Sequence, residues 1–257
     1  MKKYKAIVTY KGTGFYGWQR QKDKKSIQSI IERTFQHVFK KTIPVKASGR
    51  TDSGVHGLSQ TISFEIDTKM DATGIKNALN SKLKKQDVYI KKLSTAKITF
   101  HPRYDAKGKI YRYLISRDFS PFLKNLAWLV RTDIDIEKMK KVSECLIGKH
   151  DFSSFCSTGS SAKSHVREIY RIRIKKERFT MDPNIKLLSI EIYASGFLYK
   201  MARTIVGTLV DVGRGRLSPE DVKKILESKD RKKASQTAPG YGLYLKKVYY
   251  NQKVLPR

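Results

Sequence analysis

Apolar positions along the chain change their spacing repeatedly, and each change marks an element. Residues 3–10 read as a buried strand, followed by a glycine- and aromatic-rich loop over residues 12–19. From Ser26 onward Ile27, Ile30, Ile31, Phe35 and Val38 recur at steps of three and four, which predicts a helix with one face in a core. Residues 59–66 alternate in strand fashion, a weaker helical pattern covers 71–83, and 87–93 is again strand-like. The first half is therefore a mixture of helices and strands.

The second half repeats that rhythm. Strands are predicted near 108–116, 166–177 and 186–194, and helices near 135–147 and 197–211. The pattern restarts around 106–110, so we divide the chain into 1–106 and 107–257, although no fixed-period repeat links the halves. In the helix near 197–211, Phe197, Leu198, Met201, Ile205, Leu209 and Val210 form one apolar stripe. Lys200, Arg203 and Gly207 lie along another, which is expected to border a pocket or RNA. His150-Asp151 reads as a hydrogen-bonded helix start with Asp151 as N-cap. The charged stretch 221–233 reads as a solvated helix end and loop.

Charge narrows the choice of partner. The 257 residues carry 54 Lys and Arg against 23 Asp and Glu, a net charge of +31. Such an excess favours a polyanion over a small acidic molecule. It is not a basic tail, because residues 1–105 contribute 22 basic against 8 acidic groups and residues 106–257 contribute 32 against 15. With 39% hydrophobic residues the chain can build ordinary cores. The apolar run Ala6-Ile7-Val8 is far too short for a signal sequence or a membrane span, so a cytoplasmic protein is expected. Cys145 and Cys156 have neither metal-site nor disulfide-framework spacing and read as free thiols.

Candidate chemistry concentrates in Ala47-Ser48-Gly49-Arg50-Thr51-Asp52-Ser53-Gly54-Val55-His56-Gly57. Glycines in such a loop allow positive φ or close backbone approach, and Arg50 is placed to orient and keep ionised the Asp52 carboxylate. By composition alone the same segment could be an ordinary turn.

The stretch Arg50-Thr51-Asp52-Ser53-Gly54-Val55-His56 resembles the catalytic signature of the tRNA pseudouridine synthase A family. Further blocks are similar to that family in the same order: Tyr10 to Gln21, Phe100-His101-Pro102-Arg103 through Tyr111-Arg112-Tyr113, Gly148 to Phe152, Ser195 to Gly207, and Ala238 to Leu243. Together they span nearly the whole chain. Departures occur at Lys11, where aspartate is usual, at Ser53, where alanine is common, and at Tyr199-Lys200, where histidines are frequent. These touch substrate range more than reaction type.

The resemblance implies an α+β pseudouridine synthase fold: two ferredoxin-like, RRM-related halves joined in an extended, mainly antiparallel sheet with flanking helices, and a homodimer. It implies Asp52 as the catalytic carboxylate, Arg50 as its ion-pair partner, Arg203 as an active-site arginine and Tyr111 against the uracil. The implied substrate is tRNA, at uridines 38, 39 and 40 of the anticodon stem-loop. The reaction breaks N1–C1′ and joins C5 to C1′ with no oxidation or hydrolysis, so no cofactor and no metal are expected. Attack at C1′, addition at C6 and a glycal route all remain open for Asp52.

A target uridine must leave its stack, at a cost of a few kcal/mol that contacts must offset. Trp18, Gln19, Arg20 and Lys22, followed by Lys24 and Lys25, offer aromatic faces beside phosphate-binding charge, and His56 and Lys200 are also expected at the RNA. One rival is an RNA-binding protein without catalysis, to which charge and aromatics apply equally. A nuclease or glycosidase would show paired carboxylates or metal-ligand clusters, whereas the nearest acidic neighbour of Asp52 in sequence is Glu65.

Overall fold

The structure is a computed structural model in which residues 1–251 are described. In chain order the first elements are β1 (Lys2–Tyr10), α1 (Ile27–Phe39), β2 (Lys46–Ala47), β3 (His56–Ile66), α2 (Ala72–Leu83) and β4 (Val88–Thr95). Then come β5 (Gly108–Ser116), β6 (Trp128–Leu129), α3 (Ile136–Ser143), β7 (Gly148–Asp151), β8 (Val166–Phe179) and β9 (Asp182–Ala194). The chain closes with α4 (Met201–Gly213), α5 (Pro219–Ser228) and β10 (Leu243–Tyr249). The fold is α+β, and two compact units divide it. One holds Met1–Lys107 and the returning residues 244–251, and the other holds Gly108–Leu243.

In the first unit β1 is the central strand, paired antiparallel with β3 on one side and β4 on the other. Its alternation is what places it there: Tyr4, Ala6, Val8 and Tyr10 are all buried. α1 begins at Ser26, whose hydroxyl accepts the Ser29 N–H while the Ser29 side chain takes the Ser26 N–H, a capping box worth about 1 kcal/mol. The helix buries Ile27, Ile31 and Phe35, and the Phe35 ring lies 4.6 Å from that of Phe64 on β3. α2 starts on Asp71, whose carboxylate accepts the Gly74 N–H at 2.7 Å, and buries Ile75, Leu79 and Leu83. Its Asn80 side chain both donates to and accepts from the Ile90 main chain, at 2.9 and 2.8 Å, tying α2 to β4. Residues Tyr244 and Leu245 of β10 pair in parallel with His56 and Gly57.

In the second unit β5 and β8 flank β9, and β7 pairs with β8, all antiparallel, while β6 joins β5 in parallel. α4 is buried around nearly its whole circumference, which is why its sequence lacks a wide polar face. It begins at Met201, four residues later than its apolar pattern predicts, because Lys200 takes a left-handed conformation (φ 58°) and stops the helix from extending backwards. His150-Asp151, read as a helix start, is the end of the strand β7. Asp151 instead accepts hydrogen bonds from the Ser153 N–H (2.9 Å) and hydroxyl (2.6 Å), fixing a short turn after β7. The charged stretch 221–233 contains most of α5, whose Ser218 and Asp221 form a second capping box.

Candidate active site

The loop that presents Asp52 is held by main chain more than by side chains. β2 pairs with β3, and Ser48 continues that pairing by donating its N–H to the Thr61 carbonyl at 2.8 Å. The buried Ser48 hydroxyl donates to Gln60 Oε1 at 2.6 Å, and Gln60 Nε2 returns to the Gly49 carbonyl at 2.8 Å. Residue 51 is clamped from the other side: Trp18 N–H donates to its carbonyl at 2.9 Å, and the Tyr10 phenol shares a buried hydrogen bond of 2.9 Å with its hydroxyl. Burial pushes the Tyr10 phenol well above its ordinary pKa, with the Thr51 and Gln60 hydrogen bonds pulling weakly the other way, so the group is neutral.

Two glycines make this interlock possible. A Cβ on Gly12 would sit 2.0 Å from the Val55 carbonyl oxygen. One on Gly17 would sit 2.5 Å from the Thr51 oxygen, at a φ of +80°. The loop after β1 and the loop before β3 therefore lie backbone against backbone, with Asp52, half-buried, between two anchored neighbours, Thr51 and Val55. A carboxylate mounted this way has little freedom to wander, which is what a positioned acid, base or nucleophile needs.

Arg50, expected beside Asp52, and the residues of this unit expected at the RNA differ in their burial. Arg50 is exposed and makes no ion pair among the described residues, so its partnership with Asp52 is not formed here. Trp18, expected as a stacking surface for RNA, is 2% exposed, and its ring packs 6.0 Å from that of Tyr10. Its face belongs to the core. His56, expected at the RNA, is likewise buried: its Nδ1 accepts the Gly12 N–H at 3.1 Å and its ring stacks on Tyr244 at 4.6 Å. It is a joint between β3 and the glycine loop. Gln19 is half-buried, Lys22 is exposed, and the exposed Arg20 pairs with Glu32 at 3.0 Å.

The second unit carries Tyr111 and Arg203. Tyr111 lies on β5 opposite Ile192, is 8% exposed, and meets the Phe197 ring edge-on at 4.8 Å. Arg203, in the first turn of α4, donates from Nε to the Ala238 carbonyl at 2.7 Å, while the Ala238 N–H returns to the Arg203 carbonyl at 3.1 Å. Gly207 lies one turn on and was expected on a polar face. It is buried, and a Cβ there would fall 1.9 Å from the Gln236 oxygen. The stripe that holds Arg203 is thus packed against residues 236–238, with Thr204 and Thr237 hydroxyls 3.3 Å apart. Lys200 is half-buried, its ammonium 5.0 Å from the Tyr199 ring centre.

Sequence reasoning missed Gln60 and the supporting roles of Tyr10 and Ser48, because nothing in one dimension marks which polar groups meet across the two loops. It also missed the role of Ala238, although the block from Ala238 to Leu243 was visible as a motif. Among the described residues no group of three or more His, Cys, Asp or Glu is arranged to hold a metal ion, and no helix is long and apolar enough to cross a membrane.

A family described as tRNA pseudouridine synthase matches residues 6–105 and 142–251. A protein named tRNA pseudouridine synthase A from Pseudothermotoga lettingae is 41% identical over 95% of this chain and 98% of its own. Proteins of the same name from Thermotoga neapolitana and Listeria welshimeri are each 42% identical over 97% of this chain and 100% of their own. The chain belongs to the tRNA pseudouridine synthase family.

Proposed function

We propose, from that membership as premise, that this protein isomerises uridine to pseudouridine in tRNA, at positions 38, 39 and 40 of the anticodon stem-loop, with Asp52 as the catalytic residue. The observation that carries the reading is the mounting of Asp52 between Thr51, clamped by Tyr10 and Trp18, and the backbone contact of Gly12 with Val55. So much backbone committed to holding one half-buried carboxylate fits a group whose position matters to chemistry. In the reaction the N1–C1′ bond breaks, the uracil turns, C5 joins C1′, the hydrogen on C5 leaves as a proton, and N1 gains one. The balance needs no oxidant, reductant or second substrate.

Tyr111 and Arg203 also serve the substrate, the phenol ring against uracil and the guanidinium on the RNA backbone. Arg50, exposed and without an ion pair among the described residues, contacts the RNA. The protein acts as a homodimer in the cytoplasm, which sedimentation of the purified chain tests for the first part. The decisive assay incubates the protein with uridine-labelled anticodon stem-loop in the presence of chelator and measures pseudouridine, with Asp52→Ala alongside. Pseudouridine from the wild type alone is the expected result. Binding without conversion, strand scission or release of free uracil would overturn it.

A further inference from the structure

The first unit has an open groove of about 770 Å³ that the Asp52 chemistry does not use. It runs between α1 and the end of α2. Its walls carry Lys24, Lys25, Arg33, His37, Lys82 and Lys85, against a single acidic residue, Asp23. Helical spacing explains the concentration: Arg33 and His37 are four apart on α1, and Lys82 and Lys85 are three apart across the end of α2, so each pair projects from one side. Between them Ile30 and the buried Thr34 form the floor, and the Thr34 hydroxyl is already satisfied by the Ile30 carbonyl at 2.8 Å.

The cations of this groove lack the partners that surface lysines commonly find. None of Lys24, Lys25, Arg33, Lys82 and Lys85 makes an ion pair among the described residues. Lys24 and Lys25 are placed instead by aromatic rings, 5.1 Å from the centre of Tyr16 and 4.9 Å from that of Phe15. Concentrating this much positive charge in one concavity with a single carboxylate, Asp23, costs self-repulsion, which a bound polyanion removes. The groove is also continuous with the catalytic loop through main chain: the Lys25 carbonyl accepts the Tyr16 N–H at 2.9 Å, and two residues on, Trp18 N–H holds Thr51.

We infer that this groove binds the phosphodiester backbone of an RNA strand, at a site separate from the residues that meet the target uridine. The chemistry it offers is repeated point charge with no set of fixed donors for a base edge, so it positions RNA without reading its sequence. Taking the RNA to be tRNA rests on the function proposed above; the groove's affinity for RNA backbone does not.

The test compares Arg33→Glu/Lys82→Glu/Lys85→Glu with Lys91→Glu/Lys92→Glu/Lys97→Glu, a triple change of the same net charge at exposed positions on and after β4. Binding of fluorescently labelled full-length tRNA is measured across a salt series, with circular dichroism checking that both variants fold. The groove variant is expected to bind roughly tenfold or more weaker, with a log K against log salt slope shallower by about 2. The β4 variant is expected to change far less. Equal weakening in both variants, or wild-type binding in the groove variant, overturns the inference. So does displacement of RNA by inorganic phosphate as effectively as by an oligouridine of equal total phosphate, which would mark a site for free anions. A wild type that makes no pseudouridine while the groove variant still loses RNA sinks the synthase reading and leaves the groove; the opposite pair of results does the reverse.

Discussion

The Asp52 loop and the Arg203 turn reach a fixed geometry by opposite means. In the first unit two loops touch through glycine, and Asp52 rides on a backbone that is hydrogen-bonded at the residues around it. In the second unit a nearly all-buried helix presses one face on a remote segment, and the Arg203 side chain itself bonds to that segment's carbonyl. The Asp52 carboxylate is carried by a backbone whose flanking residues are fixed. The arginine's Nε is spent on Ala238, and its guanidinium is aimed as a consequence. One unit fixes the backbone that carries its residue, and the other bonds the residue's own side chain as well.

The first way to sharpen that contrast is to remove the chemistry and leave the mount. Asp52→Asn keeps shape and size, so pseudouridine formation is expected to fall on the order of a thousandfold or more, about 4 kcal/mol of transition-state stabilisation, while the melting temperature holds. Single-turnover rates and thermal melts on the same preparation check it. Residual activity within tenfold of wild type would mean that the interlocked loop holds something other than the reacting carboxylate.

Next in size is Gly207→Ala, which attacks the second unit's mount. A Cβ 1.9 Å from the Gln236 oxygen cannot be accommodated without parting α4 from residues 236–238, so a loss of about 3 kcal/mol in chemical denaturation is expected. Activity should fall even at temperatures where the variant stays folded, since Arg203 loses its alignment with Ala238. A neutral substitution would show that the segment is loosely held and that the guanidinium is aimed by something else.

These two sites also differ in how much of them the sequence discloses. Asp52 sits in a contiguous motif, and the glycines that mount it are themselves residues of the neighbouring signature, so both the site and part of its frame are legible in one dimension. The strands and helices are legible for the same reason, because period follows from which face is buried: Tyr4, Ala6, Val8 and Tyr10 alternate as β1 requires. What is hidden depends on contacts far apart in the chain. Trp18 and His56 have the side chains of RNA ligands, and only their burial against Tyr10 and Tyr244 tells otherwise. Two-residue strands such as β2, and β10 returning to pair with β3, carry no periodicity to read. The start of α4 is hidden too, since its apolar pattern begins before Lys200 turns left-handed.

The smallest effect asks whether a side chain contributes at all to the mount of the first unit. Tyr10→Phe removes the phenol's hydrogen bonding to the Thr51 hydroxyl and to Gln60, at an expected cost of about 1 kcal/mol, with activity within a few-fold of wild type because Trp18 still holds the Thr51 carbonyl. Its pH dependence separates this bond from a general loss of packing. Burial raises the phenol's pKa in the folded state, so folding favours the neutral form. The stability it contributes is fully present below the unfolded value near 10 and is lost as pH climbs from there toward the raised folded value. The wild type should therefore weaken more steeply than Tyr10→Phe in denaturation series from pH 9 upward, and the two curves should converge as pH rises. Parallel curves would mean that the phenol ionises as readily folded as unfolded, and the clamp on Thr51 would then be main chain alone.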